Sequence, residues 1–516
     1  MPNLRLAAQS PRMVALCLPR PGARHRLSPA LPWRLLQDGT EVQRGLAHTV
    51  VLPIDGLSPA TRYQVEAEGF APLTLTTPPC AGLVDIRDHG ASPEGSAAQN
   101  ASAIAEAIAA TPTGGTLLIP PGRFVSGPIA LKSSLVLHLA RGATLAAPAS
   151  RKGWPILPAH DDAGEMLGSW EGLPEPCFAA PLHAINAQDI AITGPGALDG
   201  GGDRGDWWTW PKETRNGARR PRGLHLINCT GVTLLGFTIR NAPSWTIHPQ
   251  RCRDLTAAAL HILAPHDSPN TDGLNPDMCC NVTLTGLNFS VGDDCIAIKA
   301  GKRGPQGESA HLRPTRHIHI SHCRMERGHG GVVIGAEMWG DVSDVTIAHC
   351  EMSGTDRGLR LKTRRGRGGR IDRISLRDVS MDGVLTAFTA NAHYFCDPDG
   401  HAEGVQTRAP APLTAGTPQI GDITIRDVEI RNLSHAVGAF LGLPEAGFGL
   451  ISLENIRVLS LDPEARPEPP IMADHLIPLR HAHILAEHAQ VTLDGAPIPM
   501  GGLSDPLASH TLTEPS

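Results

Sequence analysis

The sequence predicts an all-β protein: a right-handed parallel β-helix preceded by a small N-terminal β-sandwich. Three observations carry that reading. Short strand-like segments recur along the chain in one grammar. Its 55 Gly and 46 Pro imply many turns, while a hydrophobic content of 41% is enough for a real core. Aromatic residues make up only 4%, with two tyrosines, so the core has to be built from Val, Ile and Leu, residues that suit strands. At 516 residues the chain exceeds one ordinary compact domain unless most of it is a repeat array.

Residues 1–80 alternate apolar and polar positions in short runs, such as 13–18 and 49–53, separated by Pro and Gly. The run 57–65, a turn followed by a strand carrying Tyr63, resembles the corner of a fibronectin type III domain, where a tyrosine anchors a strand end. This sandwich is expected to serve as a spacer or as a wall for a neighbouring cleft. Thr76-Thr-Pro-Pro79 reads as the linker to a second domain over 81–516. Residues 100–109 form one clear amphipathic helix, with Asn100 in the N-cap position, suited to covering the open end of a solenoid.

Beyond that helix the repeat becomes plain. The segments beginning at Ala184, Leu226, Asn281, His317, Val345, Ile374 and Ile423 each read as a short apolar-alternating strand, a turn residue and another strand. A recurrence of twenty to thirty or so residues is that of solenoid coils, none of which can bury its inner face alone. Pro- and Gly-rich inserts at about 150–178, 302–313 and 395–418 leave the repeat and are expected to wall a cleft.

A formal charge of −6 argues against a nucleic-acid binder. The eleven cysteines form no CxxC pair and sit largely inside strand-like runs, so buried thiols are expected rather than a disulfide framework. The first residues lack a charged segment followed by a long apolar run, and no apolar stretch reaches spanning length. The expected location is therefore cytoplasmic, with no membrane partner.

Chemistry concentrates in 268–299, where Asp272 precedes the adjacent pair Asp293 and Asp294 by 293 − 272 = 21 residues, about one coil. Stacked coils would bring these carboxyls to one face. Three carboxylates in one cleft raise the pKa of at least one, leaving a general acid beside general bases, the chemistry that breaks a glycosidic bond.

Four motifs in order now carry a resemblance. Asn270-Thr-Asp272, Gly292-Asp-Asp294, Gly328-His-Gly330 and Arg360-Leu-Lys362 are similar to those of the polygalacturonases of glycoside hydrolase family 28, with Leu361 where many members carry Ile. The resemblance covers roughly 81–460. It implies that Asp293 is the general acid, that Asp272 and Asp294 position and deprotonate water, and that His329 supports them. It further implies that Asn270, Arg360, Lys362 and Tyr394 hold a galacturonan substrate, that the anomeric carbon is inverted, and that neither metal nor other cofactor is needed. Trp339 stands where relatives often have a small residue, either a sugar-stacking platform or a narrowing of the cleft. The arginine-rich run 363–370 is expected to receive a polyanionic sugar chain. The stretch from Arg151 to Gly172 and the N-terminal sandwich resemble exo-acting bacterial members, in which loops block one end of the cleft. The alternatives are a pectate lyase, which would need Ca²⁺, a rhamnogalacturonan hydrolase, and a non-catalytic carbohydrate-binding β-helix.

Overall fold

The computed structural model describes residues 1–502; the last part of the expected second domain, 503–516, lies outside the described residues. Residues 5–76 form two antiparallel sheets. Arg5–Gln9, Met13–Cys17 and Val51–Asp55 make one, and Thr40–Thr49, Arg26–Gln37, Arg62–Ala67 and Leu73–Thr76 the other. Val14, Leu16, Leu35, Ile54 and Val65 fill the space between them. Tyr63 is buried with its hydroxyl accepting the Ser58 N–H at 2.9 Å, so the polar tip of a core ring is satisfied locally.

This unit does not wall the cleft. Ala8, Met13, Ala15 and Val51 pack on Leu235, Ala258 and Ala259 of the long sheet described next. Gly236 and Gly286 make room there, since a Cβ on either would collide with Met13 or Val51. The functional site lies on a different sheet.

The remainder is a right-handed parallel β-helix. Along its long sheet Val232, Leu255, Val282, Ile318, Val345, Ile374, Ile423 and Ile451 stand in one ladder of parallel partners. Every one is at most 2% exposed, and burial of such side chains stabilises by about 1.5–3 kcal/mol each. Successive rungs are 345 − 318 = 27 and 374 − 345 = 29 residues apart, and 318 − 282 = 36 where the 302–313 insert intervenes. The residue before six of these eight ladder positions turns a corner in the left-handed region: Gly231, Asp254, Asn281, His317, Asp344 and Arg373 have φ of 53–70°. Gly, Asp and Asn tolerate that conformation best.

The helix spans Ala97–Ala110, longer than expected, and its N-cap is Ser96, not Asn100. Ser96 and Gln99 form a capping box. Asn100 is instead fully buried, its side chain bonding Ser92 and Val125 carbonyls, while Ile104, Ala107 and Ile108 close the end of the core. All eleven cysteines are free, seven of them buried.

Two further parallel sheets matter for function. One stacks Ile129–Leu131, Leu182–Ile185, Leu224–Ile227 and Ile247–Gln250; the other runs from Ile296–Ile298 through Val332–Gly335, Arg357–Lys362 and Thr386–Asn391 to Ala436–Leu441 and Ala482–Glu487. They are continuous through Leu274, which bridges Ile247 on one side and Ile296 on the other. The rung at that junction is 296 − 274 = 22 residues long, and the acidic residues stand just before its two ends.

Candidate active site

Rung geometry brings the acids together. The Gly273 N–H donates to the Asp294 carbonyl, so Asp272 and Asp294 occupy neighbouring rungs of one sheet face. One carboxylate oxygen from each of Asp272, Asp293 and Asp294 lies within 4.8 Å of the others. Asn275 Nδ2 donates to Asp272 at 2.8 Å, and Lys362 Nζ donates to Asp294 at 2.7 Å. The side chains of Asp272 and Asp294 are 5% and 1% exposed, against 23% for Asp293. Asp293 therefore presents the most accessible carboxyl of the three.

Asn270, Asp272, Asp293, Asp294, Lys362 and Tyr394 line one pocket. His329 lies outside that lining, half exposed, with Nδ1 3.3 Å from Asp293 Oδ1. Arg360 reaches Asp294 at 3.5 Å but is tucked under Met472, whose sulfur its guanidinium contacts at 3.0 Å, and it lines a neighbouring crevice. Leu361 between the two cations points into the core, as alternation along a strand requires. Arg360 and Lys362 both lie over the Tyr394 ring, at 5.5 and 5.4 Å. Asn270 accepts a hydrogen bond from the buried Arg220.

Electrostatics divide the carboxyls differently from the sequence expectation. Burial, then repulsion from Asp293 and Asp294, pushes Asp272 well above the usual carboxylate range, although Lys299 and Lys362 oppose it. Burial would also raise Asp293, but its hydrogen bond and charge attraction to His329, aided by Lys362 and Lys299, hold it below that range. His329 is raised from 6.5 to about 9 by the same hydrogen bond. In the resting site the raised carboxyl is thus Asp272, the residue expected to act as a base, while Asp293 and His329 share one proton that resides on the imidazole.

Several lining residues escaped the sequence reading. Lys299, on the strand-end beyond Asp294, lies 2.9 Å from Glu337 and 4.0 Å from Asp272, and its ammonium sits 4.6 Å over the Trp245 ring. Glu171, Lys212, Glu337, Arg367, Cys396 and Asp397 complete the wall. An outward-facing cation one rung from the acids was the available signal for Lys299. Nothing local marks Glu171, which enters from an insert. Trp339 does not line this pocket: Arg303 covers its ring at 5.1 Å, and it packs against Gly368. Of the arginine-rich run, Arg367 reaches this pocket, and Arg364 and Arg365 are committed elsewhere. Arg364 pairs with Asp399 at 2.7 Å and Arg365 with Glu445 at 2.6 Å, while Arg367 meets Asp397, so the run anchors the 395–418 insert.

Residues 176–434, half of the chain, match the family described as Glycosyl hydrolases family 28. The chain belongs to that family. The matched span contains all eight residues singled out from the sequence. Among curated relatives, a probable polygalacturonase of Vitis vinifera is 29% identical over 347 residues, 67% of each chain. An endo-polygalacturonase of Pectobacterium parmentieri is 28% identical over 59% of this chain and 70% of its own. Two solved structures share the fold. The exopolygalacturonase of Thermotoga maritima aligns with a TM-score of 0.64 at 21% identity, over 82% of this chain and 95% of that one. The family 28 exopolygalacturonase of Yersinia enterocolitica gives 0.64 at 19% identity, over 96% and 100%.

As a family 28 protein the chain is a glycoside hydrolase, and the site holds groups suited to that work. The accessible carboxyl, Asp293, has a proton source beside it. Two buried carboxyls, Asp272 and Asp294, lie close enough to share one water, since oxygens up to 4.8 Å apart can both reach a molecule about 2.8 Å from each.

Proposed function

We propose that this protein is an exo-acting polygalacturonase that removes galacturonate units from α-1,4-linked chains by inverting hydrolysis. The observation that carries the reading is one pocket uniting Asp272, Asp293 and Asp294 with Lys362 and Tyr394, beside Arg360 and His329. Acids alone would suit any glycoside. Lys362 at the same wall, with Arg360 in the adjoining crevice, suits a sugar acid, whose carboxylate these cations attract. The polygalacturonases among the relatives support the substrate class.

Asp293 protonates the leaving oxygen. Substrate entering the pocket removes water from Asp293, which disfavours its charge and draws the proton across from His329. Asp294 takes a proton from the attacking water, and Asp272, which retains its own proton at rest, orients that water. The carboxylate spacing, within 4.8 Å, is shorter than the roughly 6.5–9.5 Å common when two carboxyls flank a water in inverting enzymes. The deep burial of Asp272 and Asp294, each tied down by Asn275 or Lys362, favours a held water over direct attack by either on the sugar.

Exo action is supported by how the groove ends. His225, His248 and Gln250 project from the outer face of the four-stranded sheet, where an open groove would continue, yet all are buried. The hairpin Ser169–Trp170 and Leu173–Pro174 covers them: Ser169 Oγ donates to Gln250 at 2.6 Å, and Arg222 donates to the Ser169 carbonyl at 2.9 Å. Arg222 is held between Trp170 and Trp245, at 4.8 and 4.5 Å. A chain end fits such a blind pocket, and a chain middle does not. Chromatography of a polygalacturonate digest over time tests this. Mono- or digalacturonate from the earliest points is expected; an early collapse in polymer length with mixed oligomers would refute exo action.

A further inference from the structure

Beyond the aspartates the pocket wall continues as a chain of alternating charges that the catalytic roles leave unused. Glu337 lies 2.9 Å from Lys299 and 3.9 Å from Lys302; Glu171 lies 3.2 Å from Lys302 and 3.6 Å from Lys212. Burial would raise both carboxyls. Lys302 at Glu171 and Lys299 at Glu337 outweigh that and hold them ionised. An ionised carboxylate only accepts hydrogen bonds, at about four lone-pair positions, so acceptor capacity is left over on each. Both face the pocket.

Glu171 is fixed in place. Trp170 pairs with Leu173, leaving Glu171 and Gly172 as a two-residue turn with φ of 44° and 81°. Such a turn favours Asn-Gly, and Glu is an unusual first residue for it. Gly172 is seated on the second insert: its carbonyl accepts the Lys302 N–H at 3.0 Å, and a Cβ there would strike the 301–302 backbone. The tip of one insert therefore presents an acceptor into the pocket from a position locked by another.

Resting on the exo-polygalacturonase reading, we propose that Glu171 and Glu337 recognise the free C4 hydroxyl, with its C3 neighbour, of the terminal non-reducing galacturonate unit. Two arguments fix which end and which oxygen. The hairpin closes the groove over Gln250 and Arg222, so the unit whose anomeric carbon is attacked fills that blind side, and the portion protonated by Asp293 departs past the half-exposed His329. In an α-1,4 chain the C4 oxygen is what separates that terminal unit from an internal one: a hydroxyl donor at the end, an ether oxygen within. An ether facing two acceptor-only carboxylates leaves their spare acceptor positions unfilled, and a site built to bond a hydroxyl discriminates against its loss.

The test compares trigalacturonate with a trimer whose terminal ring carries a C4–C5 double bond and so has no C4 hydroxyl. A third trimer, reduced at its reducing end, controls for the other terminus. Wild-type kcat/KM should be about 10²-fold lower on the unsaturated trimer and within about threefold on the reduced one. Glu171→Ala, checked for folding by thermal melting, should shrink the first ratio about tenfold. Equal cleavage of saturated and unsaturated trimers by the wild type, or loss of cleavage on reducing-end reduction, overturns the proposal while leaving the hydrolase reading intact. No cleavage of trigalacturonate would overturn both.

Discussion

Replacing His329 by Ala tests the proton source most sharply. In the wild type the imidazole is raised from 6.5 to about 9 by Asp293, whose own carboxyl is held below the usual range. A rise from 6.5 to about 9 corresponds to roughly 3 kcal/mol in a dry site. The imidazole is 54% exposed, so solvent screening reduces this to about 1 kcal/mol. Because the folded value lies above the unfolded one, this stabilisation is complete below pH 6.5 and is lost as pH rises through about 9. On the acid side it persists until pH falls below the ordinary aspartate value of 3.8, since Asp293 is depressed. The gap in melting temperature between wild type and His329→Ala should therefore be widest between about pH 4 and 6.5 and close above about 9. In kinetics the alkaline limb of kcat/KM, set by loss of the shared proton, should move at least about one unit toward acid in the variant, with kcat about 10²-fold lower. A melting gap that does not narrow between pH 6.5 and 9, or an alkaline limb that stays put, would refute the shared-proton account.

Asp293→Asn should lower kcat by about 10³-fold or more while KM changes only a few-fold, because binding contacts remain; steady-state kinetics with a binding titration check this. Arg360→Ala should act mainly on KM, raising it about tenfold, and the salt dependence of KM should weaken as one cation leaves the uronate wall. Replacing the covering hairpin 167–175 by a short Gly-Ser link should expose the outer face of the four-stranded sheet. The product profile on polygalacturonate should then shift from a single small exo product to mixed oligomers.

The repeat was legible in the sequence because each coil must show the same alternation to stack, and the acids were legible because their spacing matches one short rung. What stayed hidden depends on inserts. Glu171 and Asp397 reach the pocket from segments with no period, so nothing in their neighbourhood reveals where they point. The N-cap moved from Asn100 to Ser96 because the buried amide of Asn100 is taken by two carbonyls that pattern reading does not see. The division of protons among the aspartates was equally invisible. It turns on the burial of Asp272 and on His329 being 3.3 Å from Asp293, both set by coils that are remote in sequence. The arginine-rich run looked like a polyanion receiver, yet its charges are answered from within by Asp397, Asp399 and Glu445.

The most direct measurement is proton NMR of trigalacturonate during the first minutes of digestion, before the anomers equilibrate. Water delivered by Asp272 and Asp294 to the face opposite the leaving group must release the new reducing end as the β anomer, with mono- and digalacturonate as the products. An α anomer appearing first would mean a covalent intermediate, and vinyl signals would mean elimination; either contradicts hydrolysis by a held water.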